Sequence, residues 1–330
     1  MRVLFIGGTG NISASVSRLC VERGIELHLL NRGHRDVAIP GAHVIRVDIT
    51  NLAEMRSSLE GLRWDAVVDW IAFTEDDIER DVALFRGATK QFVFISTASA
   101  YRKPPPQPVI TEDSPLENPW WEYSRKKIAC EQRLRRAYRE EGFPATIVRP
   151  SHTYDTVIPV PIGGWTEYTI IERLKTGRKI IIHDRGASLW TMTHADDFAK
   201  GLVGLLGLEE AIGEDFHITS DEVLTWNQIY GAIAEAAGCV ANVAYIPTSA
   251  IVECEPSLEG TLKGDKALET IFDNSKIRRF VPGFAATIPF REGIGRTLAW
   301  FEADPKRQVV NFATHEKMDR IISFYERKHQ

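Results

Sequence analysis

The chain has 330 residues, 44% of them apolar and 26% charged, with a formal net charge of -5. That length accommodates one large domain or two packed subdomains, and the composition excludes a disordered chain, a collagen-like fibre and a coiled-coil rod. The acidic balance speaks against a nucleic-acid scaffold, and no apolar run approaches the ~20 residues of a membrane helix.

Residues 1–6 read as a buried strand, too short for a signal-peptide core and followed at once by glycines. The turn Gly7-Gly8-Thr9-Gly10-Asn11-Ile12-Ser13 then opens a helix over 12–23. Glycines between a strand and a helix permit positive φ and close approach, and the helix start offers free N–H groups to a pyrophosphate. Gly7, Gly10, Asn11 and Ile12 are therefore candidate dinucleotide contacts, with Ser13 small enough for the helix to pack. The second strand, 26–30, ends in Asn31-Arg32-Gly33-His34-Arg35. With no carboxylate there to repel a 2′-phosphate and with Arg32 and Arg35 to attract it, NADP is favoured over NAD.

Further apolar runs at 43–47, 66–71 and 91–96, with a helix over 75–86, continue the alternation. Strands without polar interruption, separated by helices, indicate a parallel sheet covered on both faces. The fifth strand runs into Ser96-Thr97-Ala98-Ser99-Ala100-Tyr101, and Lys103-Pro104-Pro105-Pro106-Gln107-Pro108 must be a loop at its carboxyl edge. Beyond it, Tyr123 and Lys127 share one face of a predicted helix. A second loop over 154–164 separates this half from a more mixed one. The cysteines (Cys20, Cys130, Cys239, Cys254) form no Cys-x-x-Cys pair, and the nine histidines show no ligand spacing on any one element. A reduced, metal-free cytoplasmic protein is expected.

Together these segments resemble the extended short-chain dehydrogenase/reductase family, the nucleotide-sugar epimerases and dehydratases with their atypical relatives. Asp48-Ile49 resembles its adenine-contacting pair, and Thr111-Glu112-Asp113-Ser114-Pro115-Leu116 the acidic run before its active-site helix. Arg149-Pro150, His194-Ala195-Asp196-Asp197 and Asp273-Asn274-Ser275-Lys276-Ile277-Arg278-Arg279 match later family segments in order. The resemblance implies that Tyr123 is the acid/base, that Lys127 lowers its pKa and holds the nicotinamide ribose, and that Thr97 bonds the reacting oxygen. Ser96 and Ser99 are alternative hydroxyl donors. It also implies cofactor contacts from Asp48, Ile49 and Pro150, and a homodimer paired through the Tyr/Lys helix.

Two departures from the family pattern bear on the reaction. The Asp-Glu pair of the 4,6-dehydratases is Ala98-Ser99 here, which disfavours elimination of water. The arginine that holds a substrate diphosphate falls at Trp190, which stacks on a ring but neutralises no phosphate. Trp121, Trp190, Ser99 and Arg279 are the candidate substrate contacts. Asn31-Arg32-Gly33 and Leu224-Thr225-Trp226-Asn227 look most like the atypical branch, which includes plastid stem-loop RNA-binding proteins. Arg125, Lys126, Lys127, Arg133, Arg135, Arg136 and Arg139 would form the corresponding basic stripe, but interleaved Glu131, Glu140 and Glu141 point away from nucleic acid.

The expected fold is α/β, a Rossmann-like doubly wound parallel sheet with a smaller C-terminal substrate-binding lobe. Residues 1–154 would bind the dinucleotide, and 155–330 would mainly form the lobe, built on 155–190 and most of 235–290, with segments near 191–234 returning to the sheet. The expected activity is that of an NAD(P)-dependent epimerase or dehydrogenase/reductase acting on a hydroxyl or keto carbon of a sugar-like substrate. A non-catalytic or RNA-binding family member is the alternative.

Overall fold

The computed structural model describes residues 1–33 and 37–328. Its first half alternates strand and helix: β1 (Arg2–Ile6), α1 (Ser13–Glu22), β2 (Glu26–Asn31), β3 (His43–Arg46), α2 (Leu52–Leu59), β4 (Ala66–Asp69), α3 (Glu75–Phe85), β5 (Phe92–Ile95), α4 (Glu122–Glu141) and β6 (Ala145–Pro150). Side chains along β1 alternate between two cores: Val3 and Phe5 pack with Val16 and Phe198, Leu4 and Ile6 with Val67 and Phe94. Both faces are covered, so the strands carry no polar alternation. Caps fix several helix ends. Thr74 and Asp77 form a capping box on α3, Asn51 caps α2, and Gly142 closes α4 in the left-handed conformation.

After β6 the chain leaves the sheet through β7 (His152–Tyr154), α5 (Thr169–Lys175), β8 (Ile180–His183) and β9 (Leu189–His194). It returns as α6 (Ala195–Leu205) and β10 (Asp215–Ile218), then leaves again as β11 (Val223–Thr225), α7 (Trp226–Ala236), β12 (Val243–Ile246) and α8 (Thr248–Cys254). A short α turn, α9 (Glu259–Thr261), passes into a π-helical turn, Leu262–Lys266, and α10 (Ser275–Phe280), α11 (Phe290–Glu302) and α12 (Phe312–Lys328) complete the fold.

The main sheet has the order β10-β6-β5-β4-β1-β2-β3, and every neighbouring pair is parallel. This is a doubly wound Rossmann-like sheet. Strand order reverses between β1 and β4, where such sheets open a ligand crevice at their carboxyl ends. The smaller lobe has its own core, which includes Ile181, Trp226, Phe290 and Ile321. It includes α11 and α12, beyond the 155–190 and 235–290 segments from which the lobe was chiefly expected to be built. Among the described residues no helix is long and apolar enough to cross a membrane.

A candidate active site at the carboxyl ends of the sheet

The first strand–helix turn lies along a cleft of about 1180 Å³ that runs from Gly7 and Gly10 past Arg32 to Tyr123 and on to the smaller lobe. Gly7 and Gly8 have φ of 99° and 103°, and a Cβ on Gly8 would come within 2.6 Å of the Leu29 side chain. Only glycine fits. Gly10 N–H donates to Ser13 Oγ at 2.8 Å, so the serine also fastens the turn. Asn11 and Ile12 line the cleft, but the Asn11 amide is engaged with the backbone: Nδ2 donates to Thr153 O and Oδ1 accepts from Asp155 N–H, each at 3.0 Å. Asn11 thus ties the turn to β7.

At the end of β2, Asn31, Arg32 and Gly33 line the cleft, with Arg32 exposed. Arg35 lies outside the described residues. Arg46 pairs in register with Asn31 and lies beside Gly33, where a Cβ would be 3.7 Å from its Nε. Sequence alone gives no sign of this second cation. Ile49 lines the cleft, whereas Asp48 does not; Asp48 accepts from Thr50 N–H at 3.0 Å and Thr50 Oγ1 at 2.8 Å. The turn, the open helix end and the arginine side of the cleft fit a phosphate-bearing dinucleotide.

Thr97, Ser99, Trp121, Tyr123, Lys127 and Pro150 meet further along the same cleft. The three candidate hydroxyls differ in their engagement. Ser96 donates to Glu131 Oε1 at 2.5 Å, and Ser99 Oγ is bonded to Ser124 Oγ at 2.7 Å and to Thr97 Oγ1 at 3.0 Å. Thr97 is the hydroxyl whose influence lowers the pKa of the Tyr123 phenol, and both side chains line the cleft. Burial pushes that phenol above its ordinary pKa, with Thr97 pulling the other way and the Asp265 charge pushing it up further. The resemblance implies a phenol lowered by Lys127; in the protein alone desolvation dominates. Lys127 is anchored elsewhere, donating to the carbonyl oxygens of Ala72 at 2.7 Å and Ile95 at 2.8 Å. Burial pulls its ammonium down to about 8, Asp69 opposing.

Two of the candidate substrate contacts also lie outside the cleft lining. Trp190 is 1% exposed and packs against Trp226 inside the lobe core, with the Lys266 ammonium 4.4 Å from its ring centroid. It sits on β9, on the face of that strand that packs into the lobe core. Arg279 is exposed on α10, its guanidinium over Phe280. Their places at the substrate end are taken by His152, Trp165, Asp265 and Lys266. Asp265 accepts from Lys103 Nζ at 2.6 Å and Lys266 Nζ at 2.7 Å, and despite burial these cations hold its carboxyl at about 2. The π-helical turn that aims Asp265 and Lys266 has no marker in the sequence.

Buried Asn118 holds this end together. Its Nδ2 donates to Ser99 O and Gly264 O at 2.9 and 2.8 Å, while its Oδ1 accepts from Trp120 and Trp121 N–H at 3.2 and 3.1 Å. The start of α4, and with it Tyr123, is thereby fixed to both β5 and the smaller lobe. On the opposite side of the sheet, Glu26, His28 and His43 come close enough to share a cation, which spacing on single elements does not reveal. Arg2 already lies among them, 3.4 Å from His28 Nε2 and 3.1 Å from Glu26.

A sequence profile of the NAD dependent epimerase/dehydratase family matches residues 3–219, the whole main sheet with the turn and the Tyr/Lys helix. The chain belongs to that family. It is an NAD-dependent enzyme of the extended short-chain dehydrogenase/reductase kind. The 2′-dehydrokanamycin reductase of Streptomyces kanamyceticus is 24% identical over 86% of this chain and 80% of its own. The chloroplast stem-loop binding protein of 41 kDa b from Arabidopsis thaliana is 26% identical over 72% of this chain, which spans 63% of that protein's length. Among solved structures, the UDP-glucose 4-epimerase of Bifidobacterium longum, in complex with NAD+ and UDP, superposes with a TM-score of 0.72 at 16% identity, covering 93% of this chain and all of the epimerase. That likeness is one of fold.

Proposed function

We propose that this family member is an NADP(H)-dependent reductase of a keto group on a sugar-like substrate that carries no nucleotide. The observation that carries the reading is the Tyr123 phenol, which shares one cleft with Thr97, Lys127 and the glycine turn and is pushed by burial toward its protonated form. A protonated phenol suits the acid role. The bound nicotinamide supplies the hydride. Tyr123 donates its proton to the carbonyl oxygen as that oxygen gains electrons, and Thr97 holds the same oxygen in place. The Ser99–Ser124 hydroxyl pair steadies Thr97, and the Lys127 ammonium offers a positive charge beside the reacting centre. Run backwards, the same groups oxidise an alcohol, so Tyr123 serves an epimerase equally.

Arg32 and Arg46, with Asn31 in place of a carboxylate, support NADP over NAD. Among the described residues Arg32, at the dinucleotide end, is the one arginine lining the cleft. In the smaller lobe Lys266 is already paired with Asp265 and Lys317 offers a single point charge, a weaker hold on a diphosphate than an arginine fork. The relative that reduces a dehydrokanamycin supports a substrate of this kind. RNA binding is less well supported, because the basic face of α4 is internally paired: Arg133 with Glu79, Arg136 with Glu75, Lys126 with Glu122.

The test is NADPH consumption with a panel of keto sugars and keto aminoglycosides, in wild type and Tyr123→Phe. Turnover that falls by ~10²–10⁴-fold in the variant, with NADP affinity within a few-fold, is expected. Equal turnover in both proteins would refute the assignment.

A further inference from the structure

The cleft holds a buried histidine that the proposed reaction leaves without a task. His152, on β7, is 3% exposed and lines the substrate end, yet among the described residues neither ring nitrogen has a hydrogen-bond partner. Buried polar groups go unpartnered at a cost, and the exceptions call for a functional account. Its surroundings offer no remedy from within the protein. Trp190 and Trp226 meet the ring at 5.8 and 5.9 Å, edge to face, and Trp165 stacks on it at 5.0 Å with 26° between planes.

Trp165 is the solvent-facing wall. It is 38% exposed and follows Gly163 and Gly164, whose φ values of 140° and 83° favour glycine. A Cβ on Gly163 would come within 2.1 Å of Ile170, and one on Gly164 within 2.1 Å of Glu167, so this turn keeps its shape through its glycines. The indole therefore closes an aromatic box over an imidazole whose hydrogen-bonding capacity is unmet among the described residues.

We propose that His152 is a substrate-contacting residue that selects an uncharged hydroxyl of the substrate ring, reached when that ring displaces Trp165 and takes over its stacking position. Resting on the keto-sugar reading above, this extends it to the part of the substrate away from the reacting carbon. Neutral imidazole offers one N–H donor and one lone pair, the complement of a hydroxyl group, whereas a neutral ring supplies a phosphate no positive charge and the nearby Lys103 and Lys266 are already paired with Asp265. Burial, reinforced by the nearby Lys266 and Lys103 charges, keeps the ring neutral.

The experiment compares wild type with His152→Phe, His152→Leu and His152→Asn, by thermal melting without ligand and by NADPH-dependent reduction of 2′-dehydrokanamycin. If the ring serves a ligand, at least one apolar variant melts level with wild type or about 2–4 °C higher, since an unmet polar group is removed. The same variants lose at least tenfold in kcat/KM, chiefly through KM, and His152→Asn recovers most of it. Melting lowered in both apolar variants would make the ring structural and overturn the proposal, as would kcat/KM within about twofold of wild type. A wild-type protein that binds NADP+ but reduces no 2′-dehydrokanamycin would count against the keto-sugar reading, and the melting comparison would still decide His152.

Discussion

Tyr123 and Lys127 share a helix face but not an electrostatic environment. The phenol is raised mainly by burial, whereas the ammonium is lowered to about 8 and fixed on two carbonyl oxygens. The lysine makes a prediction that needs no substrate. Its pKa lies near 8 in the folded chain and near ~10.4 unfolded, so between those values the unfolded state binds more protons and stability rises with pH. The burial penalty is complete below pH 8 and fades above it. Lys127→Met should therefore gain its largest stability advantage over wild type below pH 8, and that advantage should shrink toward pH 10 in denaturant melts. A pH-independent difference would contradict the burial argument. Arg32 makes a second prediction: Arg32→Ala should weaken NADP binding by tenfold or more while leaving NAD within about twofold, read by fluorescence titration. Equal losses would remove the 2′-phosphate argument.

At the scale of elements, the site depends on how α4 is held. Glu131 on α4 makes a fully buried bidentate pair with Arg149 on β6, at 2.9 and 2.7 Å, and also accepts from Ser96 at the end of β5. Arg149 continues to Tyr101 at 2.8 Å and to Asp215 on β10 at 2.7 Å. Three strands and the Tyr/Lys helix thus meet on one ion pair. Removing one partner strands a buried charge, so Glu131→Ala should cost about 3–5 kcal/mol in urea unfolding. A loss under about 1 kcal/mol would mean that packing alone holds α4. Asn118 works at the other end of the same helix. Asn118→Ala should lower kcat more than it lowers NADP affinity, because it loosens the Tyr123 end of α4 and leaves the glycine turn intact. An unchanged kcat would detach Asn118 from the positioning of Tyr123.

At the scale of the molecule, legibility followed sequence distance. Elements whose partners lie one strand away, such as the Gly7–Gly10 turn and β1 to β5, carry their signals locally, in glycines, apolar runs and caps. The substrate end is assembled from β7, the Gly163-Gly164 turn and the π-helical turn at Asp265, which are far apart in the chain and carry no periodic pattern. Trp190 and Arg279 were placed by counting along family segments, and counting does not register which side of β9 or α10 faces the cleft. The proposed dimer seam is a related case. The α3–α4 pair is laced by Arg133–Glu79 and Arg136–Glu75 within one chain, and most of its exposed residues are charged, Ala83, Gln132 and Tyr138 excepted.

The most direct test of the whole account is the identity and affinity of its nucleotide. Mass spectrometry of whatever the purified protein releases on denaturation, followed by NADP and NAD titrations of the emptied protein, should find NADP(H) either carried along or bound more tightly than NAD(H). Affinity for neither dinucleotide would contradict the proposed reductase and turn attention to a non-catalytic ligand.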